Sequence, residues 1–255
     1  MKAIGEVRAL GQAAVVSSVI ILFIVSCSSG GKAQPRYSSK FATATPNIAA
    51  AAAIERPLTD TDAKNLTLEA WQFGPGFAAY EAAQSTSSLN VADLEGNPCT
   101  ADLVNALKSF HFERGYNRDW VRPAGAQSGL AAGVGSYVEI YPDAIAAHGK
   151  FAFDQADFAK PSPAGCDVQV ESSATFPVDS PVGEEAFGFR RTMPNAGNTL
   201  STYTWVEFWR GRVIASTDVI REDSRDASSD TTQFAQTLDA NIVPSLTQPE
   251  PTPAF

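Results

Sequence analysis

Two pentapeptides, Tyr137-Val138-Glu139-Ile140-Tyr141 and Trp205-Val206-Glu207-Phe208-Trp209, share one pattern: aromatic, Val, Glu, apolar, aromatic. In an extended chain successive side chains point to opposite faces. Val138 and Ile140, or Val206 and Phe208, would then share one face, and each Glu would stand between two rings on the other. Aromatic surfaces with a few polar groups suit sugars, peptides or amphipathic ligands. Tyr137, Glu139, Tyr141, Trp205, Glu207 and Trp209 are therefore the candidate ligand-binding residues. Arg212 joins them, because a hairpin in register would set it opposite Trp209, with Ser216 opposite Trp205. The plainer outcome is that the tether or an N-terminal strand covers this face and Arg neutralises the Glu.

Other chemistries lack their residues. His111 and His148 are the two histidines, 37 positions apart and outside any ligating motif, whereas a catalytic zinc needs three protein ligands. They read as surface or helix-packing residues. The Gly-rich strings at 125–129 and 133–136 have the wrong spacing for a nucleophile elbow, and Gly74-Pro75-Gly76 is too short for a phosphate loop. Asp60 and Asp62 have the first spacing of a calcium loop, but Lys64 occupies the next ligand position, so a cluster capping a helix start is expected. Glu222, Asp223, Asp226 and Asp230 form an acidic loop whose default is solvation. No metal, cofactor or catalytic residue is expected. A pair of carboxylates for glycoside hydrolysis stays open as an alternative, because sequence does not give their separation.

The address is carried at the N-terminus. Lys2 and Arg8 precede an apolar stretch at 13–25, interrupted by Ser17 and Ser18. Thirteen residues are too few for a spanning helix, which needs about 20, and the order matches a secretory signal. Ile24-Val25-Ser26-Cys27 resembles the lipobox of bacterial lipoproteins, although Ile24 stands where Leu is commonest and Val25 where a smaller residue is usual. The resemblance implies a signal peptide at 1–26, diacylglyceration of the Cys27 thiol, and Cys27 as the first mature residue. Two acyl chains suffice for stable anchoring, so the expected partner is a membrane through lipid on Cys27, at the extracytoplasmic face. The formal charge of −9 repels phosphate backbones and argues against nucleic acid.

With Cys27 spent on lipid, Cys99 and Cys166 remain. In an exported chain an even remainder suggests a disulfide; two unrelated buried thiols are the alternative.

Residues 27–56, rich in Ser, Ala and Gly with Pro35 and Pro46, read as a flexible tether. Residues 247–255, with three prolines, read as a disordered tail. Between them, 57–246 forms a single domain, and 44% hydrophobic residues over 255 positions supply a core. Thr100 as cap and Leu103, Leu107 and Phe110 at helical spacing predict a helix over 101–111. A strand is expected over 134–141 and an Ala-rich helix from Pro142-Asp143 to 158. Two short strands fall within 168–189. The β-branched and aromatic runs 200–209 and 212–220 flank Arg210-Gly211 and predict a hairpin. A last helix, with Phe234, Leu238 and Ile242 on one side, stops before Pro244. Strands over 66–73 and 76–83 complete the reading. The fold class is α+β: an antiparallel sheet with about three helices packed on one face.

This order, with the segment Val206-Glu207-Phe208-Trp209-Arg210-Gly211-Arg212-Val213-Ile214 closing the meander and Val182-Gly183-Glu184-Glu185-Ala186-Phe187 in the turn before it, resembles uncharacterised exported lipoprotein and sensor-like domains of bacteria. The resemblance implies a non-catalytic module that binds or senses an unknown small molecule, glycan or peptide. A secreted hydrolase or a passive envelope protein are the alternatives.

Overall fold

The computed structural model describes residues 57–125, 131–158, 172–194 and 200–247. The segments read as signal peptide and tether, Cys27, Cys166 and the residues beyond 247 lie outside the described residues.

Helix α1 (Asp60–Leu66) begins where Thr59 and Asp62 form a capping box. Thr59 Oγ1 accepts from the Asp62 amide at 3.2 Å, and the Asp62 carboxylate accepts from the Thr59 amide at 2.7 Å. The acids of this segment thus cap a helix start, as their spacing suggested.

The strands expected over 66–73 and 76–83 are mostly 3-10 turns, Ala70–Phe73 and Pro75–Phe77. Gly74, at φ 110°, followed by Pro75, ends any ladder there. Only β1 (Glu81–Ala82) pairs, and β2 (Ser87–Leu89) joins the same neighbour. Short helix α2 (Val91–Leu94) leads into α3 (Ala101–Ser109). Thr100 holds the cap position of α3, but its hydroxyl donates backwards, to the carbonyls of Leu94 and Asn97. Strand β3 (Arg114–Val121) has no hydrophobic run to announce it. Then come β4 (Gly133–Ile140), α4 (Ala144–Phe158), β5 (Ser172–Phe176), β6 (Glu185–Pro194), β7 (Leu200–Arg210), β8 (Val213–Arg221) and α5 (Ser228–Thr247).

Helix α5 runs through Pro244 instead of stopping before it. Leu246 still packs on the core beyond the proline, and that burial offsets the lost amide donor.

All pairings are antiparallel, in the order β1-β3-β4-β8-β7-β6-β5 with β2 also on β3. The class is α+β as expected, with five α-helices among the described residues, and these helices divide between the two faces of the sheet. On one face Val138, Val206, Phe208 and Ala215 pack against Phe234, Leu238 and Ile242 of α5 and Leu66 of α1. On the other, Tyr141, Phe187, Trp209 and Ile214 pack against Ala147 and Phe151 of α4. A central antiparallel sheet that is apolar on one face and aromatic on the other needs cover on both.

The β7–β8 hairpin turns through Gly211-Arg212, so that Arg210 pairs with Val213. Gly211, at φ 55°, takes the first turn position, where a two-residue turn of the II′ kind requires glycine. Trp205 consequently faces Asp218, Glu207 faces Ser216 and Trp209 faces Ile214. This corrects the expected partners Ser216 and Arg212 and removes Arg212 from the sheet face.

Candidate functional site

Period-two alternation sorts the α4 side of the sheet into rows. One row reads Asp119, Gly135, Asp218, Trp205, Phe189 from β3 to β6. The next reads Asn117, Tyr137, Ser216, Glu207, Phe187, and the third Gly115, Glu139, Ile214, Trp209, Glu185. Both Glu residues stand between aromatic neighbours along their strands, as the repeated pentapeptide requires. Helix α4 covers them; neither the tether nor an N-terminal strand is needed for that.

Between this face, α4 and the segment 85–103 lies a cavity of about 170 Å³. Tyr137, Glu139, Trp205 and Glu207 line it, together with Asp119, Lys150, Asp154 and Asp218. The mouth is formed by the exposed Ser87, Ser88 and Asn90. Leu89, Leu94, Leu103, Phe158 and Trp205 supply apolar walls.

Glu139 is fully engaged. Tyr137 Oη donates to its Oε1 at 2.7 Å, Tyr141 Oη donates to its Oε2, and Lys150 Nζ lies 3.6 Å from the same oxygen. Lys150, 1% exposed, reaches down from α4 and also pairs with Asp154 one turn later, at 2.5 Å. Burial alone would lower its pKa, but Asp154 and Glu139 outweigh that and hold the ammonium charged. Asp154 is pushed up to about 6, with burial as the main cause and Lys150 opposing it. Glu207 rises well above the carboxylate range, through burial first and then the charge of Asp154, with which it shares a hydrogen bond. Two carboxyls joined in this way share a proton, and glycoside hydrolysis requires carboxyls at least about 5 Å apart. This pair does not fit that reaction.

A second acidic pair meets over β4. A Cβ on Gly135 would collide with Oδ1 of both Asp119 and Asp218, so only glycine lets the two carboxyls converge. Asp119 Oδ2 accepts from Ser85 Oγ at 2.6 Å and Asn117 Nδ2 at 2.7 Å. Asp218 is 7% exposed, and among the described residues no hydrogen bond or ion pair reaches its carboxyl. Burial and the Asp119 charge raise its pKa well above the usual range. Asp119 and Asp218 also line a smaller cavity of about 60 Å³ on the far side.

The remaining sequence candidates lie apart from the cavity. Trp209, 0% exposed, sits beneath α4 with its ring 5.0 Å from that of His148. Tyr141 is buried, with its hydroxyl on Glu139 and its ring 6.0 Å from Phe112. Arg212, in the turn, pairs with Glu113. The indoles therefore do not form an open platform: Trp205 is a wall of a cavity and Trp209 is core. His148 lies on α4 and packs on Trp209 of β7, and His111 follows α3 at positive φ. Among the described residues no group of three or more His, Cys, Asp or Glu is placed to hold a metal. In the acidic loop, Glu222 pairs with Arg122, Asp223 with Arg221 and Arg225, and Asp226 with Arg190.

Four groups of the cavity, Lys150, Asp154, Asp119 and Asp218, escaped the sequence reading. Asp218 had a signal: Asp is depleted in strands, yet it interrupts the β-branched run of β8. Lys150 and Asp154 had a weaker one, an i,i+4 ion pair on an otherwise Ala- and Phe-rich helix.

Fold and site define an α+β domain with an acid-floored cavity between an antiparallel sheet and a covering helix. Among solved structures the chain is similar to the extracellular domain of PknH from Mycobacterium tuberculosis, with 9% identity and a TM-score of 0.47 over 74% of this chain and 98% of that one. No family model and no curated protein matches the chain. A likeness this distant carries nothing about function.

Proposed function

We propose that the chain is an extracytoplasmic lipoprotein, anchored through Cys27, whose domain receives a small ligand in the cavity beneath α4. The observation that carries this reading is the carboxyl of Asp218, buried, without a partner and opening on the cavity. Burying a carboxyl without compensation costs several kcal/mol, and a sheet face that needed only a core would be served by an apolar residue there. A ligand supplies the missing partner. Tethering by lipid would hold the cavity at the outer surface of a membrane, which suits binding or sensing. Pairing of Cys99 with Cys166 belongs to the same reading. Once Cys27 is acylated, these two are the cysteines that remain in the sequence.

The test is a thermal-shift screen of small cationic, neutral and anionic molecules, followed by tryptophan fluorescence. A ligand at a hundredfold its Kd stabilises by about 2.7 kcal/mol. Its fluorescence response should vanish in Trp205→Phe and survive in Trp71→Phe, since Trp71 is exposed and outside the cavity. A ligand response that survives loss of Trp205, or no response from any charge class, would overturn the cavity reading.

A further inference from the structure

The charges around the cavity do not balance. Asp93, Asp119, Glu139, Asp154, Glu207 and Asp218 bring six carboxyls to its lining, against the single ammonium of Lys150. Lys150 is committed to Asp154 and Glu139, and Asp119 to Ser85 and Asn117. What remains is Asp218 without a partner and Glu207 Oε1, buried and equally without a hydrogen bond. These two residues sit on adjacent strands as diagonal neighbours, because Trp205 faces Asp218 and Glu207 faces Ser216. Diagonal positions on one sheet face lie about 7 Å apart, a gap that one cationic head group spans. Above them the wall is apolar, with the rings of Phe158 and Trp205 5.7 Å apart.

Resting on the reading of the cavity as a ligand site, we propose that its ligand is a small organic cation, an ammonium on a compact aryl or alkyl body. The ammonium sits between Glu207 and Asp218, and the body lies against Trp205 and Phe158. The size agrees: an apolar cavity of about 150 Å³ takes a benzene ring, and this one measures about 170 Å³. A bare divalent cation suits it less. Such ions demand several oxygen ligands and part reluctantly with water, while Leu89, Leu94, Leu103, Phe158 and Trp205 make much of this lining apolar.

Binding is then linked to proton release. In the ligand-free cavity Asp218 faces Asp119 on β3 and Tyr203 on β7, beside which Arg191 of β6 lies. Glu207 faces Asp154 and Lys150 on α4 and Glu139 and Tyr137 on β4, with Asp157 acting on Asp154. Carboxylates dominate both surroundings, so burial and like charge hold protons on these two acids. A cation favours their ionised forms, the protons leave, and affinity rises as pH climbs above the ordinary carboxylate range.

The experiment is calorimetric titration of the full chain in detergent with benzylammonium, benzyl alcohol and benzoate. Benzylammonium should bind at least about tenfold more tightly than benzyl alcohol, and benzoate should be weakest. Its binding heat should differ between phosphate and Tris buffers, which reports the released protons. Asp218→Asn should weaken benzylammonium about tenfold or more, leave benzyl alcohol unchanged and raise the melting temperature of the ligand-free protein. Glu207→Gln provides the same readouts at the second carboxyl. Equal or tighter binding of benzyl alcohol or benzoate within the cavity would overturn cation selectivity and leave the ligand site standing. Failure of all three probes, in wild type and both variants, would overturn both.

Discussion

Lys150 is the residue on which the cavity depends. Three carboxyls, Glu139, Asp154 and Glu207, act on its buried ammonium, and truncating one member of a buried ionic group strands the rest. Lys150→Met keeps the aliphatic stem and should cost about 3–5 kcal/mol in chemical denaturation. The same cluster fixes the sign of a pH effect. The folded-state pKa of Asp154, about 6, lies above the ordinary value of an Asp carboxyl, 3.8. The folded protein therefore holds a proton that the unfolded chain has released between these values, and stability falls as pH rises from about 4 to about 6. Glu207 and Asp218, also raised, act in the same direction. Urea denaturation across this range should show the decline, and Asp154→Asn should flatten it; stability rising with pH there would contradict the buried, proton-holding cluster.

At the scale of elements, β7 is covered on both faces, and its two faces are predicted to cost alike. Phe208 is 0% exposed against α5 and Trp209 equally so beneath α4. Each should lose about 3–5 kcal/mol on truncation to Ala. A loss of only about 0.5 kcal/mol for Trp209→Ala, the size of a surface change, would mean that α4 does not seal this face. The hairpin register decides which polar groups meet. With Gly211-Arg212 as the turn, Ser216 lies across from Glu207 and Asp218 across from Trp205. A turn placed one residue earlier would keep each side chain on its face but shift every cross-strand partner by two, and the carboxyls of β7 and β8 would no longer flank one space.

At the scale of the whole molecule, the proposed anchor would keep an acidic protein at a membrane without electrostatic attraction. Among the described residues no helix is long and apolar enough to cross one. Two acyl chains on Cys27 would hold it without any basic patch. Cys27→Ala should leave an unprocessed precursor, and the wild-type protein should partition into detergent and carry the mass of acyl chains. Recovery of an unmodified, water-soluble chain beginning elsewhere would remove the anchor, leaving the cavity argument intact.

Local patterns sufficed where one short segment contains the whole cause. The helix start at the acids Asp60 and Asp62, the α3 and α4 helices, the β4, β7 and β8 strands and the two-faced pentapeptides are each written in consecutive residues, because backbone periodicity and end capping act over a few positions. Strand β3 was not legible, since Arg118 and Asp119 interrupt both alternate faces of Arg114–Val121 and its place in the sheet comes from pairing with β1, β2 and β4. Pro244 misled for the same kind of reason: the helix survives it through contacts made far away in sequence. The candidate site divides along the same line. Glu139 and Glu207 stood out by their aromatic neighbours, but Lys150, Asp119 and Asp218 belong to a helix and two strands separated by long stretches of chain. Only the register of β3, β4, β8 and β7, and the seating of α4 across them, brings these charges together. Coulomb interactions and desolvation act through space, so the unbalanced cluster is a property of the folded chain.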